Sequence, residues 1–268
     1  VAFLMTTING PAIPVTSSDF MYRVALGEIT SHSYIAKFGR NPDIAATPAS
    51  TPEDVWSAGG VYTGHPTQSE TLEIYSSGTD AADDVSPAGT GAHTVRVEGL
   101  GDDWTFKTAD VTMNGTTPVT IPGLWRRANR AYVLTAGTDG HNAGDIIVRH
   151  TTTTANVFIH LPALFNQTLI TAYTVPAGKT GYLMTYGANM SRASGAAGSA
   201  TISLRAREPS GVFRARFVDE MSTGLGLHHA VQGSTSFPEM TDIKARIDAV
   251  SDNGTVVSAH FTLVLIDD

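Results

Sequence analysis

The chain has 268 residues, no cysteine, and a net charge of −8 from 17 Lys and Arg against 25 Asp and Glu. The missing cysteines exclude disulfides and thiolate metal sites, and the acidic balance argues against a nucleic-acid partner. Charged residues make up only 16% of the chain, against about 25% in ordinary soluble domains. Thr, Ser, Gly and Ala fill the deficit, a composition suited to extended β structure with large areas covered by neighbours.

No stretch approaches the roughly 20 apolar residues of a membrane span. The start, VAFLMTTINGPAIPVTSSDF, has a short apolar run without a basic leader, which does not read as a signal peptide. A soluble product without a membrane partner is expected.

Residues 1–50 read as an irregular arm. Pro11, Pro14 and Pro42 interrupt any period, and the cluster Phe20, Met21, Tyr22, Val24, Ala25 and Leu26 is short for a helix. The arm is either a flexible tail or a segment that docks on a neighbouring subunit; its apolar content favours docking.

From Val55 onward strand grammar dominates. TLEIYSS (71–77) and HTVRVEGL (93–100) alternate apolar and polar positions with a period of two. Within 104–121, Asn114-Gly115 predicts a hairpin. RAYVLTAG (130–137), DIIVRH (145–150) and NVFIHL (156–161) complete a first set of strands, spaced by Gly-rich turns.

A second set opens with YTVPAGKTGYL (173–183), which predicts two strands joined as a hairpin by a Pro-Ala-Gly-Lys turn. ATISLRAR (200–207), GVFRARFV (211–218), TDIKARIDAV (241–250) and VVSAHFTLVLI (256–266) follow. TDIKARIDAV also fits a helix through Ile243, Ile247 and Val250. The alternation of Ile243, Ala245, Ile247 and Ala249 against Lys244, Arg246 and Asp248 is cleaner, so a strand is expected. Gly224 and Gly226 make 220–230 a loop.

The residues that could carry chemistry are few. His228-His229 is the only His-His pair, and neighbours on a strand point to opposite faces, which does not make one metal site. His141, with Asp139 and Asn142 in a Gly-rich loop, offers too few oxygens for calcium; a turn held by Asn and Asp side chains is the plainer account.

The carboxylate pairs Asp83-Asp84, Asp102-Asp103 and Asp219-Glu220 are adjacent in sequence, which does not supply the separation acid–base catalysis needs. Gly89–Gly91 precedes a strand, the wrong setting for a phosphate cradle. Asn114, Asn166, Asn189 and Asn253 begin Asn-x-Ser/Thr triplets of the sort a Thr-rich chain produces by chance.

Trp56, Trp104 and Trp125 serve the core or line a sugar-binding groove, for instance Trp56 with Tyr62. Arg126, Arg127 and Arg130 either pair with carboxylates of a neighbouring subunit or form a solvated strand face.

Several segments in order, FGRNPDI (38–44), EDVWSAGG (53–60), GTGAHTVRVEGL (89–100), MNGTTPV (113–119), RANRAYVLTAG (127–137), NAGDI (142–146), YTVPAGKTGYL, TDIKARI and FTLVLID (261–267), carry a resemblance. Together they resemble a family of virion structural proteins of tailed bacteriophages, from head decorations or fibre-like appendages of marine and environmental phages. The first 37 residues lie outside it.

The resemblance implies an oligomeric, non-enzymatic particle component located in the virion and assembled in the bacterial cytoplasm. The expected fold is all-β: an arm (1–50) and two β-sandwich, jelly-roll-like domains (51–163 and 164–268). No catalytic, cofactor-binding or metal residue is expected, and no cofactor. The expected partners are further copies of the chain and other virion proteins, with a host-surface glycan as the alternative ligand.

Overall fold

The computed structural model describes residues 17–45, 52–79, 81–192, 195 and 197–268. These form one helix and sixteen strands, all paired antiparallel. The fold is all-β, built as two sandwiches.

The first sandwich stacks two sheets. One runs β6 (Val119–Trp125), β3 (Glu70–Ser76), β8 (Ile146–His150), β9 (Val157–Leu161); the other runs β5 (Phe106–Thr112), β4 (Ala92–Leu100), β7 (Arg127–Ala136). Strand alternation decides what each face meets. Leu72 and Ile74 from β3 and Val95 and Val97 from β4 are buried in one core with Ile121, Trp125 and Phe158.

The second sandwich stacks β1 (His32–Ile44), β16 (Thr255–Asp267), β11 (Lys179–Arg192) and β14 (Leu227–Phe237) on a second sheet. That sheet runs β10 (Ala172–Thr174), β15 (Asp242–Val250), β12 (Ser199–Arg207), β13 (Arg214–Ser222), with the two-residue β2 (Glu53–Asp54) also pairing β15. Two apolar clusters fill it, one around Ile202, Ile247 and Val257, the other around Leu204, Phe237 and Phe261.

Several expectations are corrected. The segment expected to be an irregular arm contains α1 (Ser17–Ala25) and the thirteen-residue β1, which pairs with β16 from His32↔Ile266 to Ile44↔Thr255. Ile35, Gly39, Asn41 and Ile44 alternate on its inward face, with Pro42 close to the bulge that interrupts the register between Asn41 and Ile44. Residues 1–16 and 46–50 of the arm lie outside the described residues.

Neither predicted hairpin is one. β5 pairs with β4 and β6 with β3, so Asn114-Gly115 carries the chain from one sheet to the facing sheet. The turn is held by Ser76 N–H on the Gly115 carbonyl and Gly115 N–H on the Asp83 carbonyl. Likewise β10 pairs with β15 and β11 with β14 and β16, so Pro176–Lys179 crosses between layers.

The expected loop at 220–230 is shorter than read. β13 runs to Ser222, and β14 begins at Leu227 and carries both histidines. TDIKARIDAV is a strand, as its alternation indicated.

Candidate functional site at the sandwich junction

Ionisable side chains converge where the two sandwiches meet. Gly99 of β4 faces Ala128 of β7, and a Cβ at Gly99 would stand 2.0 Å from the Arg127 carbonyl oxygen. Glycine there lets the start of β7 press against β4, which sets Arg127 facing the second sandwich.

Arg127 opens β7 and Asp242 opens β15. The guanidinium donates twice to the carboxylate, Nε to Oδ1 at 2.7 Å and Nη2 to Oδ2 at 2.9 Å. Arg207, at the end of β12, adds Nη2 to Oδ2 at 2.5 Å, and the Thr174 hydroxyl donates to Oδ1 at 2.6 Å. Trp104 caps the cluster, its ring 4.8 Å from Arg127 and 5.1 Å from Arg126.

Burial opposes the charge on Asp242. His65 where it is protonated, the Arg127 guanidinium through its hydrogen bonds and charge, and the Thr174 hydroxyl together outweigh it and hold the carboxyl below the usual range. His65 lies 3.8 Å from the same carboxylate, yet burial pushes its imidazole down to about 3, with Arg127 and Lys244 adding to the effect. His65 is therefore a neutral ring packed between Tyr62 and Phe213 rather than an ionic partner.

A second pair lies beside it. Lys244 of β15 donates to Asp54 Oδ2 at 2.8 Å, which also accepts the Tyr62 N–H at 2.8 Å. Burial pushes the Asp54 carboxyl up, and Lys244 pulls against that.

Lys37 of β1 reaches across to the first sandwich and donates to the Asn129 carbonyl at 2.5 Å. Asn129 Oδ1 accepts the Thr174 N–H at 3.2 Å, so one residue of β7 is tied to both β1 and β10. Burial pushes the Lys37 amine down to about 7, with Arg130 adding to the shift and Glu98 opposing it. The amine borders a cavity of about 430 Å3 walled by Tyr34, Phe106 and Tyr173.

The other sequence candidates are placed apart. Asp83 is fully buried and accepts from Ser76 Oγ (2.6 Å), Ala92 N (2.6 Å), Ala143 N (2.8 Å) and Gly144 N (2.9 Å), which binds three loops together. Asp84 Oδ1 instead accepts the Ser86 N–H. Asp102 meets Ser69 and Arg126, while Asp103 accepts from Thr105. Asp219 bonds His229 at 2.9 Å, and Glu220 accepts from Thr201. In each case the two carboxylates of a pair serve different partners.

His229 stacks on Tyr186, whereas His228 turns to the other face toward His260. Asn142 is buried and exchanges hydrogen bonds with Asn166, so the His141 loop is a braced turn. Among the described residues no group of three or more His, Cys, Asp or Glu is arranged to hold a metal ion.

Trp56 and Tyr62 are buried edge to face at 5.2 Å, and Trp125 is fully enclosed, so the groove expected of Trp56 and Tyr62 is not formed. Arg127 neither faces solvent nor awaits a neighbouring subunit: its carboxylate partner is Asp242 of the same chain. The junction residues Lys37, His65, Asp242 and Lys244 were missed. The available signal was Asp242 and Lys244 on the polar row of β15, which reads as a solvent face until a second sandwich covers it.

No family model matches this chain, and no curated protein does. Among solved structures, one of infectious bursal disease virus (Gt strain) aligns over 92% of this chain and 78% of its own, with 11% identity and a TM-score of 0.24. The exported protein XepA of PBSX aligns over 86% and 84%, with 10% identity and a TM-score of 0.19. A triple jelly-roll structure from the turret of an archaeal virus covers 88% and 60%, with 11% identity and a TM-score of 0.15. Scores this low leave any functional reading to the chain's own geometry.

Proposed function

We propose that this chain is a non-enzymatic structural subunit on the outside of a tailed-phage virion, decorating the head or forming part of a tail or head fibre. It would act by assembling with copies of itself and with other virion proteins.

The carrying observation is how the side chains are spent. The buried pair of Arg127 and Asp242 fastens the two sandwiches to each other, and Lys244 with Asp54 braces β15 against β2 beside it. Large apolar residues such as Phe38, Phe106, Leu124, Val218 and Leu225 stand exposed on the outside. With the buried ion pairs spent on holding the fold together, these exposed apolar side chains are what the chain offers for contact with other proteins. The resemblance of segments between Phe38 and Asp267 supports the same reading.

A glycan-binding module was the alternative, and it would need a surface other than Trp56 and Tyr62, which are internal. Mass spectrometry of purified virions with copy-number estimation tests the proposal. Copies in proportion to the capsid lattice identify a head decoration, and the small complement of an appendage identifies a fibre. Absence of the chain from particles overturns it.

A further inference from the structure

β1 closes one side of the cavity of about 430 Å3, along residues 33–37. The other walls come from both sandwiches. β4, β5 and β7 of the first contribute Glu98, Phe106 and Arg130, while Tyr173 of β10 and Lys179 of β11 belong to the second. A space of this size falls within the range of small-molecule sites.

Its charge is opposite to that of the chain. The chain carries 25 acids against 17 bases, yet three bases, Lys37, Arg130 and Lys179, border the cavity with one acid, Glu98. Lys179 is paired with Asp267, and Glu98 accepts from the Tyr132 hydroxyl at 3.1 Å. Among the described residues neither Lys37 nor Arg130 forms an ion pair. Arg130 stacks over Tyr132 and gives a hydrogen bond to Gln167 Oε1 at 3.4 Å. Lys37, only 7% exposed, gives one N–H to the Asn129 carbonyl and keeps two more to donate when charged.

The two cations repel, and Arg130 adds to the fall of the Lys37 amine. An anion lodged between them removes that repulsion and supplies the missing acceptor. Tyr34, Phe106 and Tyr173 determine what the anion is attached to, because they line the same space with aromatic surface.

We propose that this cavity binds a small aromatic carboxylate, its ring against Tyr34, Phe106 and Tyr173 and its carboxylate between Lys37 and Arg130. The inference goes beyond the assembly reading and does not depend on it. Since both sandwiches supply walls, the ligand braces one against the other.

Binding of this kind is linked to a proton. The groups facing the amine are Arg130 from β7, Glu98 from β4, Tyr173 from β10 and Lys179 from β11, while β16 sets Phe261 beside it. Burial holds the amine of the free protein at about 7 and pushes the Tyr173 hydroxyl up, away from neutral. A neighbouring carboxylate raises the amine. Between its free and bound values the complex holds a proton that the free protein lacks. Binding should take up about one proton near pH 8 and none near pH 6, and affinity should fall about tenfold per pH unit above 7.

Isothermal titration calorimetry of the full chain with naphthalene-2-carboxylate tests this, at pH 6 and pH 8 in buffers of different ionisation enthalpy. Naphthalene-2-carboxamide, alike in shape and uncharged, is the control. The carboxylate should bind with the stated proton uptake, and the amide on the order of tenfold more weakly. Lys37→Met should weaken the carboxylate by a similar factor at pH 6 and erase the uptake at pH 8. Arg130→Gln, at an exposed position, should weaken it as well. Circular dichroism establishes that both variants keep the fold.

A wild type that does not bind the carboxylate overturns the proposal. So does an amide that binds as tightly, binding without proton uptake at pH 8, or a folded Lys37→Met that keeps its affinity or its uptake. None of these outcomes bears on whether the chain is found in virions.

Discussion

Arg127 and Asp242 meet in a two-pronged ion pair although 115 residues separate them, and they are only 3% and 2% exposed. One belongs to the first sandwich and the other to the second, so the pair is a fastening between them. A buried pair of this kind repays its desolvation only while both members and their further hydrogen bonds are in place. Thr174, Arg207 and the carbonyls of Pro66 and Arg126 supply those bonds.

Asp242→Ala should therefore cost more than loss of one contact, because it strands two guanidiniums at the junction. The expected loss is about 3–5 kcal/mol, read from urea denaturation. Arg127→Met/Asp242→Leu should cost clearly less than the two single changes summed. A loss under about 1 kcal/mol for Asp242→Ala would mean water reaches the junction.

Lys37 makes stability depend on alkaline pH. Its folded-state value of about 7 lies below the ordinary lysine value of 10.5, so between these limits the unfolded chain binds the extra proton. Stability should then rise as pH climbs from 7 towards 10.5, and the penalty is fully present below 7. Lys37→Met should be most stabilising, by on the order of a few kcal/mol, near pH 6 and lose that advantage by pH 10. Parallel unfolding curves at the two pH values would contradict this.

His65 acts at the acid end. Its folded value of about 3 against 6.5 unfolded means that stability is lost as pH falls from 6.5 towards 3. Asp242, held low, loses its own contribution only further down, below the ordinary carboxylate range. His65→Gln should flatten the stability profile between pH 6.5 and 4, measured by thermal melting at each pH. An unchanged slope would assign the acid sensitivity to other groups.

Asp83 is the peg of the first sandwich's loops. Asp83→Ala leaves three buried N–H groups and the Ser76 hydroxyl without their acceptor, for an expected loss of about 3 kcal/mol. Limited proteolysis should then open the segments around Ala82 and Ala143 first. Resistance equal to the wild type's would show that the loops are held by their backbone bonds alone.

Strand positions with one buried face were legible. Leu72 and Ile74, Val95 and Val97, and Ile243 with Ala245 and Ile247 all alternate as their positions demand. Asn114-Gly115 and Pro176–Lys179 announced chain reversals, but a turn signal does not say which sheet receives the next strand. Both lead to the facing layer. β14 escaped notice because His229, Gly233 and Thr235 interrupt its inward row of Leu227, Val231 and Phe237. The junction was invisible for another reason: burial of Asp242 and Lys244 is decided by a surface brought in by residues more than a hundred positions away.

β1 precedes the first sandwich in the chain, and its mate β16 follows it. During synthesis the earlier half can complete its own core while His32–Ile44 waits, unzipped, for a companion not yet made. Slow ribosomal passage through the last strands would lengthen that wait and give a chaperone or a neighbouring nascent chain its longest opportunity to seize the unmatched segment.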